Sequence, residues 1–93
     1  MARIDIITDY YPDEDFLQAD GFDRALSGVM YDKINGVHRL VYSRAISLDI
    51  LMKRDGMSFE EAVEFFDFNV EGAYMGEKTP VWMDDEMWDC EWL

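Results

Sequence analysis

Two side chains in this sequence attack, shuttle protons or bind soft metals near neutral pH, His38 and Cys90, and each is the only one of its kind. His38 lies in "VHRLVYS", an apolar and aromatic run that reads as a strand, where a lone histidine is usually a structural or a surface residue. Cys90 stands between Asp89 and Glu91, whose charges disfavour the thiolate and blunt its reactivity. A cysteine–histidine pair would need a long-range coincidence. The chain has no phosphate loop, no dinucleotide fingerprint and no zinc-ligand spacing.

The carboxylates are the abundant chemistry. "DYYPDEDFLQAD" has the look of a calcium loop, but counting from Asp13 puts Leu17 and Gln18 where an oxygen ligand and a glycine are required. Asp13/Asp15 and Asp84/Asp85 offer divalent cations only the loose attraction of any acid-rich chain. The expectation is therefore no catalytic residue, no dedicated metal site and no cofactor. The chain reads as a non-enzyme.

Acids outnumber bases 21 to 8, for a net charge of −13 over 93 residues. Residues 1–23 carry −6, residues 82–93 carry −5, and residues 24–81 only −2. That balance argues against direct contact with nucleic acid or an anionic membrane, both of which repel it. It favours a basic protein partner. A single cysteine fits a reducing cytoplasm, no basic-then-apolar leader opens the chain, and no apolar run approaches the length of a membrane span.

The elements that must position these acids can be read in turn. The length suits one domain, residues 1–93, with acidic N-terminal and C-terminal segments. The runs around "KING" predict a β-hairpin of about 24–32 and 37–42, with Asn35-Gly36 as its turn. Ser43 then caps a helix over about 44–54, stopped by Asp55-Gly56. "SFEE" at 58–61 predicts a capping box between Ser58 and Glu61. The following helix is expected to run to about Tyr74, with Gly76 near its C-terminal cap. "TPVWM" at 79–83 predicts a third short strand with Pro80 at an edge or strand start. "RIDIIT" at 3–8 is a further candidate strand. The expected class is α+β: a small antiparallel sheet packed against two helices.

The helix after Ser58 separates its residues sharply. At roughly 100° per residue, Glu60, Glu64, Asp67 and Glu71 fall within about 60° of one another, opposite Ala62, Phe66, Asn69 and Ala73. Asn69 is thus expected on the core side, bonded to backbone. No lysine follows these acids at helical spacing, so their repulsion is expected to go unrelieved within the helix. Such a ridge is ordinarily a solvated helix face, and its unrelieved repulsion also favours a positive counterpart.

The blocks "GFDRALSGV" (21–29), "VYS" (41–43) and "DGMSFEEAVEFFDFNVEGAYMGEKTPVW" (55–82) together resemble a family of small, functionally uncharacterised proteins common in bacteriophages and bacterial genomes. The specific positions are Asp55, Gly56, Met57, Glu60, Glu61, Ala62, Phe68, Asn69, Val70, Gly72, Gly76, Glu77, Thr79 and Pro80. The resemblance spans about two thirds of the chain. It implies a phage-type context and the α+β arrangement, and it carries over no catalytic residue. The acidic ends lie largely outside it.

Two functional expectations follow. The first is an acidic inhibitor or decoy, with nucleic-acid mimicry as one form of it, acting in the host cytoplasm on the basic nucleic-acid site of a host defence protein. Its contacts would be Glu60, Glu64, Asp67, Glu71, Asp84, Asp85 and Glu86, with Trp82, Trp88 and Trp92 either as apolar anchors or folded back on the domain while the tail's acids stay in water. The second is a regulatory or assembly adaptor, with a homodimer as one form, whose acidity serves solubility or a salt-rich environment.

Overall fold

The computed structural model describes residues 3–73 and 76–87. Helix α1 (Arg3–Tyr10) leads through a loop and a short 3-10 turn (Asp23–Ala25) into strands β1 (Leu26–Asp32) and β2 (Val37–Ser43). Helices α2 (Arg44–Arg54) and α3 (Phe59–Phe65) follow, α3 continuing as a π-helical segment over Phe66–Glu71, and strand β3 (Val81–Met83) closes the described fold. The α+β class expected from the sequence is the class observed.

The hairpin forms at the expected place, with Tyr31 opposite His38 and Val29 opposite Leu40. Its loop spans four residues, Lys33–Gly36, rather than the two of Asn35-Gly36. Asp32 builds it: its carboxylate accepts from the amides of Ile34 and Asn35 at 3.0 and 3.2 Å and from the Asn35 side chain at 2.8 Å. Gly36 supplies the left-handed backbone (φ +67°) that returns the chain to β2. With Arg39 added, this crowd of donors holds the Asp32 carboxyl down to about 2, the Asn35 hydrogen bond being the largest cause.

Two expectations change. β3 runs parallel to β2, pairing Tyr42 with Trp82, so the sheet is mixed, in the order β1-β2-β3. The reason is connectivity: a parallel neighbour requires a long crossover, and α2, α3 and the π segment provide it. Residues 3–8 are helical, not a strand. Ile4 and Ile7, one helical turn apart, pack against the core, so helical spacing prevails over the local alternation.

The core lies between the sheet and the helices. Leu26, Leu40, Tyr42, Leu48, Leu51, Ala62 and Phe66 are buried. Trp82 is the hub of an aromatic cluster, its ring centroid 5.0 Å from Phe66, 5.0 Å from Tyr42 and 5.7 Å from Phe22. Trp82 is thus committed to the fold rather than offered as a surface anchor. The buried Tyr42 hydroxyl accepts from the Ala19 amide at 3.0 Å, which pins the loop before β1 to the sheet.

Both helix starts are as the sequence reads. The Ser43 hydroxyl accepts from Ile46 N at the head of α2. At α3, the Ser58 hydroxyl accepts from Glu61 N at 3.2 Å while Glu61 accepts from Ser58 N at 3.0 Å. The expected helix to Tyr74 becomes α3 plus the π segment, with Gly72 at its C-cap. A side chain on Gly72 would bring its Cβ to 3.3 Å from the Asp67 carbonyl oxygen, so the segment closes on a residue without one.

Candidate partner-binding surface

The π segment decides where the acids point. An i→i+5 turn advances roughly 80° per residue instead of 100°, so the shift accumulates to about 50° at Asn69 and about 90° at Glu71. Asn69 therefore leaves the core side and is exposed, correcting its expected buried role. Glu71 leaves the stripe it would share with Glu60 and Glu64 and joins Asp67 on another side of the helix.

There the two acids meet Arg44, the first residue of α2. Its guanidinium bonds Asp67 at 2.7 Å, Glu71 at 3.0 Å and, through Nε, Glu86. It also lies over the Phe66 ring, 5.0 Å from the centroid. The Asp67 hydrogen bond leads the effects that raise the Arg44 pKa further above its ordinary value. The helix repulsion expected to go unrelieved is thus relieved, for two of its four acids, by a base from another element. Sequence spacing along one helix carries no trace of such a partner.

The acids after β3 divide in the same way. Asp85 accepts from the Ser43 hydroxyl at 2.6 Å and from the Ala45 amide at 2.9 Å, satisfying donors at the α2 N-terminus, where negative charge is favoured. Glu86 is held by Arg44, while Asp84 is exposed and makes no ion pair among the described residues. Of the ten expected contact residues, Asp67, Glu71, Asp85 and Glu86 are bound within the fold, Trp82 packs in the aromatic cluster, and Glu60, Glu64 and Asp84 face solvent. Trp88 and Trp92 lie outside the described residues, as does Cys90.

His38 has the expected structural setting. Its Nδ1 is 2.8 Å from Glu14 Oε1, and its ring packs against Tyr11 and Tyr31. Glu14 also lies 3.6 Å from Lys78 Nζ. Among the described residues, no group of three or more His, Cys, Asp or Glu side chains is placed to hold a metal ion. No helix among them is long and apolar enough to cross a membrane.

The basic residues account for the rest of the electrostatics. Arg24 and Lys53 share Asp49, Arg39 binds Asp32, Arg54 binds Asp55, and Lys78 approaches Glu14. Arg3 donates to the Leu26 carbonyl at 2.6 Å. With Arg44, seven of the eight basic side chains are engaged with groups of the chain itself, and Lys33 has no ion pair among the described residues. Exposed acids without an ion pair among the described residues are Asp5, Asp9, Asp13, Asp15, Asp20, Asp23, Glu60, Glu61, Glu64, Glu77 and Asp84, of which Glu61 is engaged in its helix cap. The fold pairs its cations with groups of its own chain, several of them at the surface, and leaves eleven exposed carboxylates without an ion pair among the described residues.

Beside Glu60 and Glu64 runs a feature that charge counting misses. Met57, Glu61, Glu64, Phe65, Phe68 and Asn69 line an open groove of about 480 Å³. Phe68 is 78% exposed.

No protein-family model, curated protein or solved structure matches this chain.

Proposed function

We propose that the protein is an acidic decoy that occupies the basic nucleic-acid site of a partner protein, in the cytoplasm of a bacterial host and in a phage-type, anti-defence setting. The observation that carries this reading is the asymmetry of charge commitment: seven of eight bases are bound within the fold while eleven exposed carboxylates have no ion pair among the described residues. A surface of this kind attracts the same lysines and arginines that bind phosphates, and it accelerates association by long-range steering.

The experiment is charge reversal at two classes of acid. Glu60→Lys/Glu64→Lys alters carboxylates that face solvent and have no cation of their own. It should leave the melting temperature unchanged or higher, and slow association with a captured partner about tenfold or more at low salt. Reversal of Asp67 and Glu71 should instead lower stability, because Arg44 would face lysines. Unchanged association of the Glu60/Glu64 variant would contradict the decoy and favour an adaptor whose acidity serves solubility alone.

A further inference from the structure

We propose that the groove along α3 and the π segment is the docking site for a cationic amphipathic helix of a partner protein. An apolar side chain of that helix would enter between Phe65 and Phe68, and its lysines or arginines would lie against Glu60 and Glu64. The proposal rests on the decoy reading for its partner's charge, but adds an apolar determinant that the decoy reading does not require.

Three observations converge on this surface. Phe59, Phe65 and Phe68 are 54%, 38% and 78% exposed, on a stretch from Phe59 to Glu71 that contains no basic residue. Solvent-facing phenylalanines carry no hydrogen-bonding group to compensate their contact with water, so an apolar occupant gains from covering them. Met57, Phe65 and Phe68 line the groove together with the carboxylates of Glu61 and Glu64, and Glu60 stands one helical turn before Glu64; neither Glu60 nor Glu64 has an ion pair among the described residues. An uncharged apolar helix would leave those carboxylates poorly solvated at the contact, and a uniformly basic strand would leave the phenylalanines wet. A helix with one apolar and one cationic face satisfies both, the arrangement by which amphipathic helices seat in grooves. The π segment contributes directly, since its slower rotation brings Asn69 out of the core side to the groove wall.

The probe is a synthetic 14-residue leucine–lysine peptide patterned as an amphipathic helix, with a scrambled peptide of identical composition as control. Both are titrated into the full chain in moderate salt and followed by calorimetry and amide chemical shifts. The amphipathic peptide should bind at least about tenfold more tightly than the scrambled one, as expected when an apolar anchor adds to charge. Shifts should centre on Met57, Glu61, Phe65, Phe68 and Asn69. Phe68→Ser, whose side chain is mostly outside the core, should erase that advantage while the melting temperature is kept. Asp5→Lys/Asp9→Lys, on α1, should preserve it.

Equal binding of the two peptides, or an advantage that survives Phe68→Ser, would overturn the groove as a site and leave a purely electrostatic decoy standing. A Phe68-dependent advantage, combined with failure of nucleic acid to compete for a captured partner, would uphold the groove and overturn the decoy.

Discussion

Arg44 Nη1 lies 2.7 Å from Asp67 Oδ1, joining the first residue of α2 to the π segment that follows α3. The same guanidinium takes Glu71 and Glu86, so one cation ties together the two-helix crossover and the turn after β3. Its side chain is only 16% exposed, while Asp67 and Glu71 are each 48% exposed, so the pairs are part screened by water. Arg44→Ala should cost roughly 1–3 kcal/mol, because three carboxylates then repel without a counter-charge and Phe66 loses its cation cover. Urea unfolding checks the loss. Added salt should recover part of it in the variant by screening those acids. Arg44→Lys should restore the charge without the fork that serves three partners, and so recover only part of the stability.

The aromatic hub gives the second prediction. Phe66 is fully buried, its ring nearly perpendicular to that of Trp82 at 5.0 Å. Phe66→Ala should cost about 3–5 kcal/mol as a core truncation. In a domain of ordinary marginal stability that approaches the whole folding free energy. Tryptophan fluorescence should report the opening of the cluster, and a stable variant with native fluorescence would contradict the packing.

Asp32 predicts a pH dependence. Its carboxyl is lowered to about 2 in the fold from an ordinary 3.8. The stabilisation is therefore fully present above about pH 4 and lost as pH falls from 4 towards 2. Thermal melts of Asp32→Asn and the parent chain should differ at pH 7 and converge near pH 2. A gap that stays constant across that window would show that the carboxylate charge is not what organises the hairpin loop.

Local signals in the sequence were legible where the cause is itself local. Ser43, the Ser58–Glu61 pair and Asp55-Gly56 each act through the nearest backbone amides, and each sits at the helix boundary they foretell. The hairpin was legible for the same reason, though Asp32 rather than Asn35-Gly36 alone sets its loop. What escaped depends on partners distant along the chain. Arg44 is 23 residues from Asp67 and 42 from Glu86, so no spacing rule connects them. The direction of β3 was hinted at by the two helices between it and β2, since a crossover of that length permits a parallel neighbour. The π segment has no distinct composition in "FDFNVE", and it alone reassigns Asn69 and Glu71. For the candidate surface, the sequence supplied Glu60, Glu64 and Asp84, while Phe65 and Phe68 became interpretable only with their exposure in hand.

The central claim is that partner and nucleic acid exclude one another on this protein's account. The direct measurement immobilises the full chain, captures its partner from nuclease-treated bacterial lysate at low salt, and titrates in duplex DNA or RNA at constant ionic strength. The decoy predicts that nucleic acid releases the partner in proportion to its own affinity for it, with no nucleic acid retained on the immobilised chain. A partner that stays bound and carries nucleic acid with it, or one that ignores nucleic acid altogether, would contradict the account and leave the adaptor in its place.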